Sequence, residues 1–598
     1  MKSFARLSFK LAASIFLFSI SAFAQQRDAL HIDYHVAIAS VEGQIFHVTT
    51  DVKNITEPRL ELSLPTWTPG WYTVENYFKN VLRFKITDSK GNTLQPEMVK
   101  KQTWRIETKG LDSLRVEFDY KATVLALNQA KITSDFAFFT GTELFLEVAR
   151  HRNSPITVRF DLPKDWKIIS ALKETSNPMV FTAPDYDSLV DAPTEMGRFD
   201  KTQFQVEGKP HYLVATPAGA LSKEKADQFA SMLAKVAAAQ SSIFGGLPYE
   251  KYVYFYFFSR AESNAGGALE HLNSHVAFAF NPNPEFMIGT ASHEFFHLWN
   301  VKRIRPAEMW PYDYSRENET PLLWVSEGFT NYYGSIAIYR AGLRSREQFV
   351  RNVQDAISGI ERNEARQYIP PASSSVSTWV GYDTPVAFGI SYYTQGQNLA
   401  ALLDLSILND TSGEAGLDDV MRALYRDFYQ KGKGFTTDDM IAIINRLTKR
   451  NYRDFYRKYV FGVEVPAYDE ILGYAGYRTE KASRPSPTIG VGIERGDEGV
   501  RVTRVSPGSQ AASAGLRVGD VVVSVNGTEL GKDPQALIAK LSENVGHAVK
   551  LSIKRGAQNL TSDVDVGTRD DTSYKIVETP SATPKQLKIR EAWLKTLK

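Results

Sequence analysis

From about Leu30 to Glu207 apolar and polar residues alternate in short runs, as in His31-Ile32-Asp33-Tyr34-His35-Val36 and Leu114-Arg115-Val116-Glu117-Phe118-Asp119-Tyr120. Turn sequences such as Ser89-Lys90-Gly91-Asn92 separate them. Strand side chains point alternately to two faces, so this period of two predicts an all-β, sandwich-like N-terminal domain over residues 25–207. Helical spacing takes over at Lys223–Ile243 and returns in 323–342, 392–408, 416–430 and 437–449, the last opened by Thr436 with Asp439 three residues on. A mainly helical domain is therefore expected over 208–478. Residues 479–487 (Thr-Glu-Lys-Ala-Ser-Arg-Pro-Ser-Pro) have no period and read as a linker. Strands resume over 488–570, and the tail 571–598 ends in a short amphipathic helix with Leu587, Ile589, Trp593 and Leu594, expected to dock back on the body.

The first residues follow another pattern. Lys2, Arg6 and Lys10 lead into the apolar run Leu11 to Ile20, and Ala22-Phe23-Ala24 precedes Gln25. That is the layout of a secretory signal peptide, 1–24, too short for a comfortable membrane span. After it no apolar run reaches membrane-spanning length, so no stable membrane insertion is expected once the signal is cleaved. Cysteine is absent, which excludes disulfides, thiolate nucleophiles and Cys-based metal sites. Export without disulfides points to a bacterial periplasm. Lys+Arg at 70 against Asp+Glu at 68 leaves a formal charge of +2, too little and too scattered for nucleic acid as a partner.

The sharpest chemical signal is His293-Glu294-Phe295-Phe296-His297. On a helix, histidines four apart lie one turn apart on one face, where both can hold one zinc ion, with Glu294 beside them to take a proton from the water that the metal activates. A catalytic zinc needs a third protein ligand, and Glu327, in Trp324-Val325-Ser326-Glu327-Gly328-Phe329, is the candidate. Asn331, a turn later, could orient it. A second pair, His271 and His275, is read as lying along one strand, where four residues span ~13 Å, too far for one ion.

Further segments carry a resemblance: Pro65-Thr66-Trp67-Thr68-Pro69-Gly70-Trp71-Tyr72, Gly266-Gly267-Ala268-Leu269-Glu270-His271, the 293–306 block, Glu327-Gly328-Phe329 and Tyr392-Tyr393-Thr394-Gln395-Gly396. With these the chain resembles the glycyl aminopeptidase family of gluzincin zinc peptidases, which carry a C-terminal PDZ domain. The resemblance implies a thermolysin-like, mainly helical catalytic domain with an active-site sheet and one zinc per chain. It implies that Gly266, Gly267, Ala268 and Glu270 form a substrate-binding strand edge on which Glu270 receives the free α-amino group, and that Tyr393 stabilises the oxyanion, with Tyr392 as the neighbouring alternative. The implied activity is removal of N-terminal Gly or Ala from peptides with a free N-terminus. Two departures stand out: a longer His297-to-Glu327 spacing, with residues 306–321 looping out, and Gln395 where many relatives carry lysine.

Residues 488–567 look like a PDZ domain, in which the amides of Gly490, Val491, Gly492 and Ile493 would capture a terminal carboxylate while the ligand adds as a strand. Two other readings stay open on sequence alone: a zinc endopeptidase guided by its PDZ domain to protein C-terminal tails, and a PDZ adaptor with an inert peptidase domain.

Overall fold

The computed structural model describes residues 30–258, 266–381 and 390–596. The expected signal peptide, 1–24, lies outside the described residues. Among the described residues two compact units form: one from those up to Thr66 together with Asn76–Gly197, the other from Trp67–Glu75 together with those from Arg198 onward. The division corrects the expected boundary at 207. The strand Asp200–Val206 pairs with Lys209–Thr216 and belongs to the second unit's sheet, because alternation reveals a strand but not which sheet it joins.

The first unit is all β apart from short helical turns. Its described residues form three sheets, of eight, five and four strands. In the largest, His31–Ser40 pairs antiparallel with Ile45–Lys53 and parallel with Ile156–Asp161. The inward residues of the alternating runs, including Val36, Phe46, Val48, Phe118 and Phe160, are buried. Phe46 and Phe139 join the eight- and five-stranded sheets edge to face at 5.6 Å between ring centroids.

The second unit is built on a five-stranded sheet of β1 (Asp200–Val206), β2 (Lys209–Thr216), β3 (Tyr252–Phe257), β4 (Gly267–His271) and β5 (Ser274–Phe278) in the order β1-β2-β3-β5-β4. β2, β3 and β5 run parallel, while β4 pairs antiparallel with β5 as an edge strand. Against it pack helices α1 (Lys223–Phe244) and α2 (Pro284–His297), and on these and one another pack α3 (Thr330–Arg340), α4 (Arg346–Glu361) and α5 (Tyr392–Asp410). Further helices follow at Leu417–Asp427 and Thr437–Thr448, the latter opened by the expected Thr436–Asp439 capping box. α4 was not expected, although Ser345 and Gln348 cap it reciprocally and Phe349, Val353, Ile357 and Ile360 form its buried stripe.

The stretch 479–487, expected as a linker, lies inside strand β6 (Tyr477–Thr488), which pairs along its whole length with β12 (Gly567–Glu578). A two-stranded ribbon has little buried face and hence little alternation, and each of its strands is an edge that tolerates Pro485 and Pro487. Between the ribbon's ends sits the β-rich module with strands β7 (Val491–Arg495), β8 (Val500–Val505), β9 (Val521–Val525), β10 (Ala548–Arg555) and β11 (Gln558–Asp565), and with helix α6 (Pro534–Ser542). Its own core includes Val502, Val522, Leu537, Leu551 and Val564. After β12, the chain's last described helix α7 (Pro584–Trp593) returns to the helical body: Trp593 Nε1 donates to the Tyr332 hydroxyl at 2.9 Å, and Arg590 donates to the carbonyls of Ala475 and Gly476. The tail expected from 571 thus begins inside a strand and ends docked. Among the described residues no helix is long and apolar enough to cross a membrane.

Candidate metal and substrate site

α2 begins with Asn283, whose side chain accepts the Glu285 N–H, and with Pro284 at its first position. Its two buried phenylalanines fix its rotation. Phe295 packs on Tyr252 of β3 at 4.7 Å, and Phe296 stacks on Tyr333 of α3 at 4.3 Å. The face left between them carries both histidines, with Nε2 atoms 2.9 Å apart.

Glu327 arrives on a π-helical segment, Trp324–Phe329, that runs into α3. The wider turn of a π-helix is a frequent mark of a functional site. Two glycines set its position. A Cβ on Gly396 of α5 would lie 2.8 Å from the Cα of Gly328 and nearer still to the Trp324 carbonyl oxygen, so the segment crosses α5 backbone against backbone. Asn300, just beyond α2, secures the other side: its side-chain amide donates to the carbonyls of Val325 and Ser326 and to Thr330 Oγ1, while its main-chain carbonyl accepts His297 Nδ1–H at 2.6 Å. That last bond leaves the His297 Nε2 lone pair for a metal.

Glu327 Oε2 lies 3.2 Å from His297 Nε2 and 3.4 Å from His293 Nε2. A tetrahedral ion with bonds of ~2.0–2.1 Å places its ligand atoms ~3.3 Å apart, so the three donors fit zinc. The electrostatics agree. Burial pushes the His297 imidazole down, but Glu327, Glu270 and Glu294 outweigh it and its pKa is pushed up to about 10; burial would raise Glu327, yet His297 and His293 hold it below the usual carboxylate range. Such a surrounding favours positive charge. Burial lowers the pKa of His293, with Glu327 and, more weakly, Asn331 pulling it back up.

Donor atoms of Glu270, Glu294 and His297 gather within 4.8 Å of one another. Glu270 stands on edge strand β4, 3% exposed, and its Oε1 has no hydrogen-bond partner among the described residues. Burial raises its pKa against the pull of His297 and of Lys302, a buried ammonium. Glu294 is held well above the carboxylate range by burial, with Glu270 and Glu327 adding to it. Gly266 and Gly267 are exposed at the start of the same strand and Ala268 is half-buried. Tyr393 opens α5 with its ring stacked on His293 at 6.0 Å, whereas the Tyr392 hydroxyl is hydrogen-bonded with Thr378 Oγ1 at 2.9 Å. Gln395 turns away, its amide donating to the Ile369 carbonyl.

His271 and His275 are not on one strand. Leu272-Asn273 is a two-residue hairpin loop, which pairs Glu270 with His275. His275 lies within hydrogen-bond distance of the Tyr252 and Tyr256 hydroxyls through Nδ1 and Nε2, at 3.4 and 3.3 Å, and burial lowers its pKa to about 3. In the distal module β7 is an edge strand that pairs with β8. Of its expected carboxylate loop, the Gly490 N–H is already donated to Thr488 Oγ1 at 3.0 Å, leaving Val491, Gly492 and Ile493 as the candidate amides. Sequence reasoning assigned no role to Asn300, Lys302, Gly70 or Tyr72; the first two lie in the 293–306 block and the others in the 65–72 motif.

The Peptidase M61 N-terminal domain profile matches residues 33–198, the M61 glycyl aminopeptidase profile 286–399, and a PDZ domain profile 501–555. Comparison with curated protein sequences gave no significant match. Among solved structures, an aminopeptidase N family protein from Idiomarina loihiensis is 23% identical, with 94% of this chain and 100% of that one covered and a TM-score of 0.83, a likeness of fold. An M1 zinc metallopeptidase from Deinococcus radiodurans (16% identity, 73% of this chain, 95% of that one, TM-score 0.48) and yeast LTA4 hydrolase (14%, 73%, 68%, 0.48) overlap less and carry no part of the argument. With both M61 profiles matched in order, the metal-ligand geometry inside the second and a PDZ domain after it, the chain carries the N-terminal and catalytic domains of M61 glycyl aminopeptidases and is a metallo-aminopeptidase.

Proposed function

We propose that this enzyme removes N-terminal glycine or alanine from peptides with a free N-terminus, using one zinc ion per chain held by His293, His297 and Glu327. The observation that carries the reading is the pair of adjoining donor groups, one suited to zinc and one, at Glu270 and Glu294, suited to an ammonium. Bound there, zinc supplies a Lewis acid that acidifies water and polarises the scissile carbonyl. Glu270 receives the substrate's α-ammonium and fixes the scissile bond one residue from the N-terminus. Glu294 takes the proton of the attacking water and, with a pKa raised by burial, keeps it for the leaving amine. Tyr393 donates its phenol hydrogen to the developing oxyanion. The chain's N-terminal 24 residues and its lack of cysteine support export to a periplasm. Edge strand β7 supports capture of protein C-terminal tails by the PDZ domain.

The test is Glu294→Gln. All three metal ligands remain, so zinc content stays at one per chain while hydrolysis of a glycyl anilide falls by ~10²–10⁴-fold. Near-normal turnover by the zinc-loaded variant would remove Glu294 from its role.

A further inference from the structure

Thr68-Pro69-Gly70-Trp71 has the signature of a type II turn, with Pro at the second position and Gly at the third. The Trp71 N–H donates to the Thr68 carbonyl at 2.9 Å, and Gly70 has φ +101°, where a side chain is disfavoured. Although early in sequence, the turn belongs to the catalytic unit. Trp67 anchors it: the indole donates to the Asp313 carbonyl at 2.9 Å and packs edge-on against Tyr312 and Trp379 at 5.5 and 5.1 Å. Asp313 and Tyr312 lie in the 306–321 segment that lengthens the spacing between His297 and Glu327. Lys302 Nζ donates to the Pro69 carbonyl at 3.2 Å.

The tip of this turn lies on the carboxylate of Glu270. A Cβ at Gly70 would come within 2.6 Å of both carboxylate oxygens. Two residues on, the Tyr72 hydroxyl lies 3.5 Å from Glu327 Oε1. Glu270 is thus bounded by a backbone that no flexible side chain can vacate, and Glu294 and His297 are the donors it shares space with.

We propose that the Pro69–Gly70 turn is the end wall of the amine site. It holds the Glu270 carboxylate toward Glu294 and occupies the volume that a residue preceding the substrate's first would need. This rests on Glu270 as the ammonium acceptor. Gly70 is required for two separable reasons, its φ and its contact with Glu270, and the second alone links it to substrate.

The zinc-loaded wild type, Gly70→Ala, Glu270→Asp and the double variant are compared on glycyl 4-nitroanilide and its N-acetyl counterpart. Gly70→Ala should lower kcat/KM on the free amine by ~10- to 100-fold at unchanged zinc content, the size of a lost charge-assisted contact. Glu270→Asp draws the carboxylate back by about one bond and should also lose activity alone, but the double variant should exceed Gly70→Ala by at least about fivefold, because the shorter arm relieves the collision. Losses that simply multiply, or a Gly70→Ala enzyme within about twofold of wild type, overturn the wall while leaving the aminopeptidase reading intact. A wild type that cleaves the N-acetyl substrate comparably, with Glu270→Asp indifferent, overturns that reading and the wall with it. If Gly70→Ala is recovered without zinc, Lys302→Met, which frees the Pro69 carbonyl, decides instead: a rise of at least about tenfold in cleavage of the N-acetyl substrate supports the wall, and no rise overturns it.

Discussion

Replacing Gly396 by alanine tests whether the helix crossing sets the metal site. The new Cβ would stand 2.0 Å from the Trp324 carbonyl oxygen and 2.8 Å from the Cα of Gly328, whereas carbon and oxygen pack at about 3.3 Å, so the π-helical segment and α5 must separate by about 1.3 Å. Backbone, not a side chain, has to give. Alanine favours a helix over glycine by about 1 kcal/mol, so local propensity argues for stabilisation, while overpacking costs about 1–3 kcal/mol. We expect net destabilisation of up to about 2 kcal/mol, with the crossing as its sole source. The larger effect falls on function. Ligand atoms tolerate shifts of about 0.2 Å, and a misplacement near 1 Å costs up to about 10²-fold in rate. Glu327 rides on one partner of the crossing and Tyr393 on the other, so the displacement acts on both. Zinc affinity, measured by competition with a chromophoric chelator, should fall at least about tenfold, and kcat of zinc-saturated enzyme by about 10- to 100-fold. Unchanged zinc affinity and kcat in a folded Gly396→Ala enzyme would refute the reasoning, because Glu327 would then be positioned by something other than this crossing.

Two further predictions concern parts remote from the metal. Excising 489–566 and joining Thr488 to Gly567 by a short turn should leave zinc content and hydrolysis of short substrates unchanged, since these residues face each other across the ribbon; truncation after Pro485 should lower the melting temperature, because it also strips α7, Trp593 and Arg590 from the helical body. Asp404 on α5 has its pKa raised to about 6, chiefly by burial and then by Asp418, while the Leu417 N–H and the Tyr332 hydroxyl donate to it. A raised carboxyl stabilises the fold below its unfolded pKa of 3.8, and that contribution disappears as pH rises through 6. At 1.36 kcal/mol per unit the difference of 2.2 units amounts to about 3 kcal/mol. Relative to Asp404→Asn, wild type should therefore lose about 2 kcal/mol of this between pH 4 and pH 7 in denaturant titrations, and parallel pH profiles would contradict the assignment.

The candidate metal ligands were legible because coordination itself imposes the i, i+4 spacing that puts two imidazoles on one helical face. Glu327 was legible given that pair. Its π-helical setting was not, since one extra residue in a turn hardly disturbs the apolar period. The Thr-Pro-Gly-Trp turn is written in the sequence, yet nothing local reveals that its tip meets a carboxylate 200 residues away. The ribbon strand β6 was misread as a linker because a strand without a buried face carries no alternation. For His271 and His275 the misleading cue was the Val/Phe alternation, which hid a two-residue turn lacking glycine. Long-range closure, rather than local propensity, decides each of these cases.

The central claim, that Glu270 fixes the chain's free end beside the metal, is tested most directly by the ratio of kcat/KM for a glycyl 4-nitroanilide to that for its N-acetyl counterpart, measured on wild type and on Glu270→Ala at equal zinc content. The account predicts that wild type refuses the acetylated substrate and that Glu270→Ala cuts cleavage of the free amine by ~10- to 100-fold or more, collapsing the ratio. Comparable wild-type rates on both substrates, left unchanged by Glu270→Ala, would contradict it.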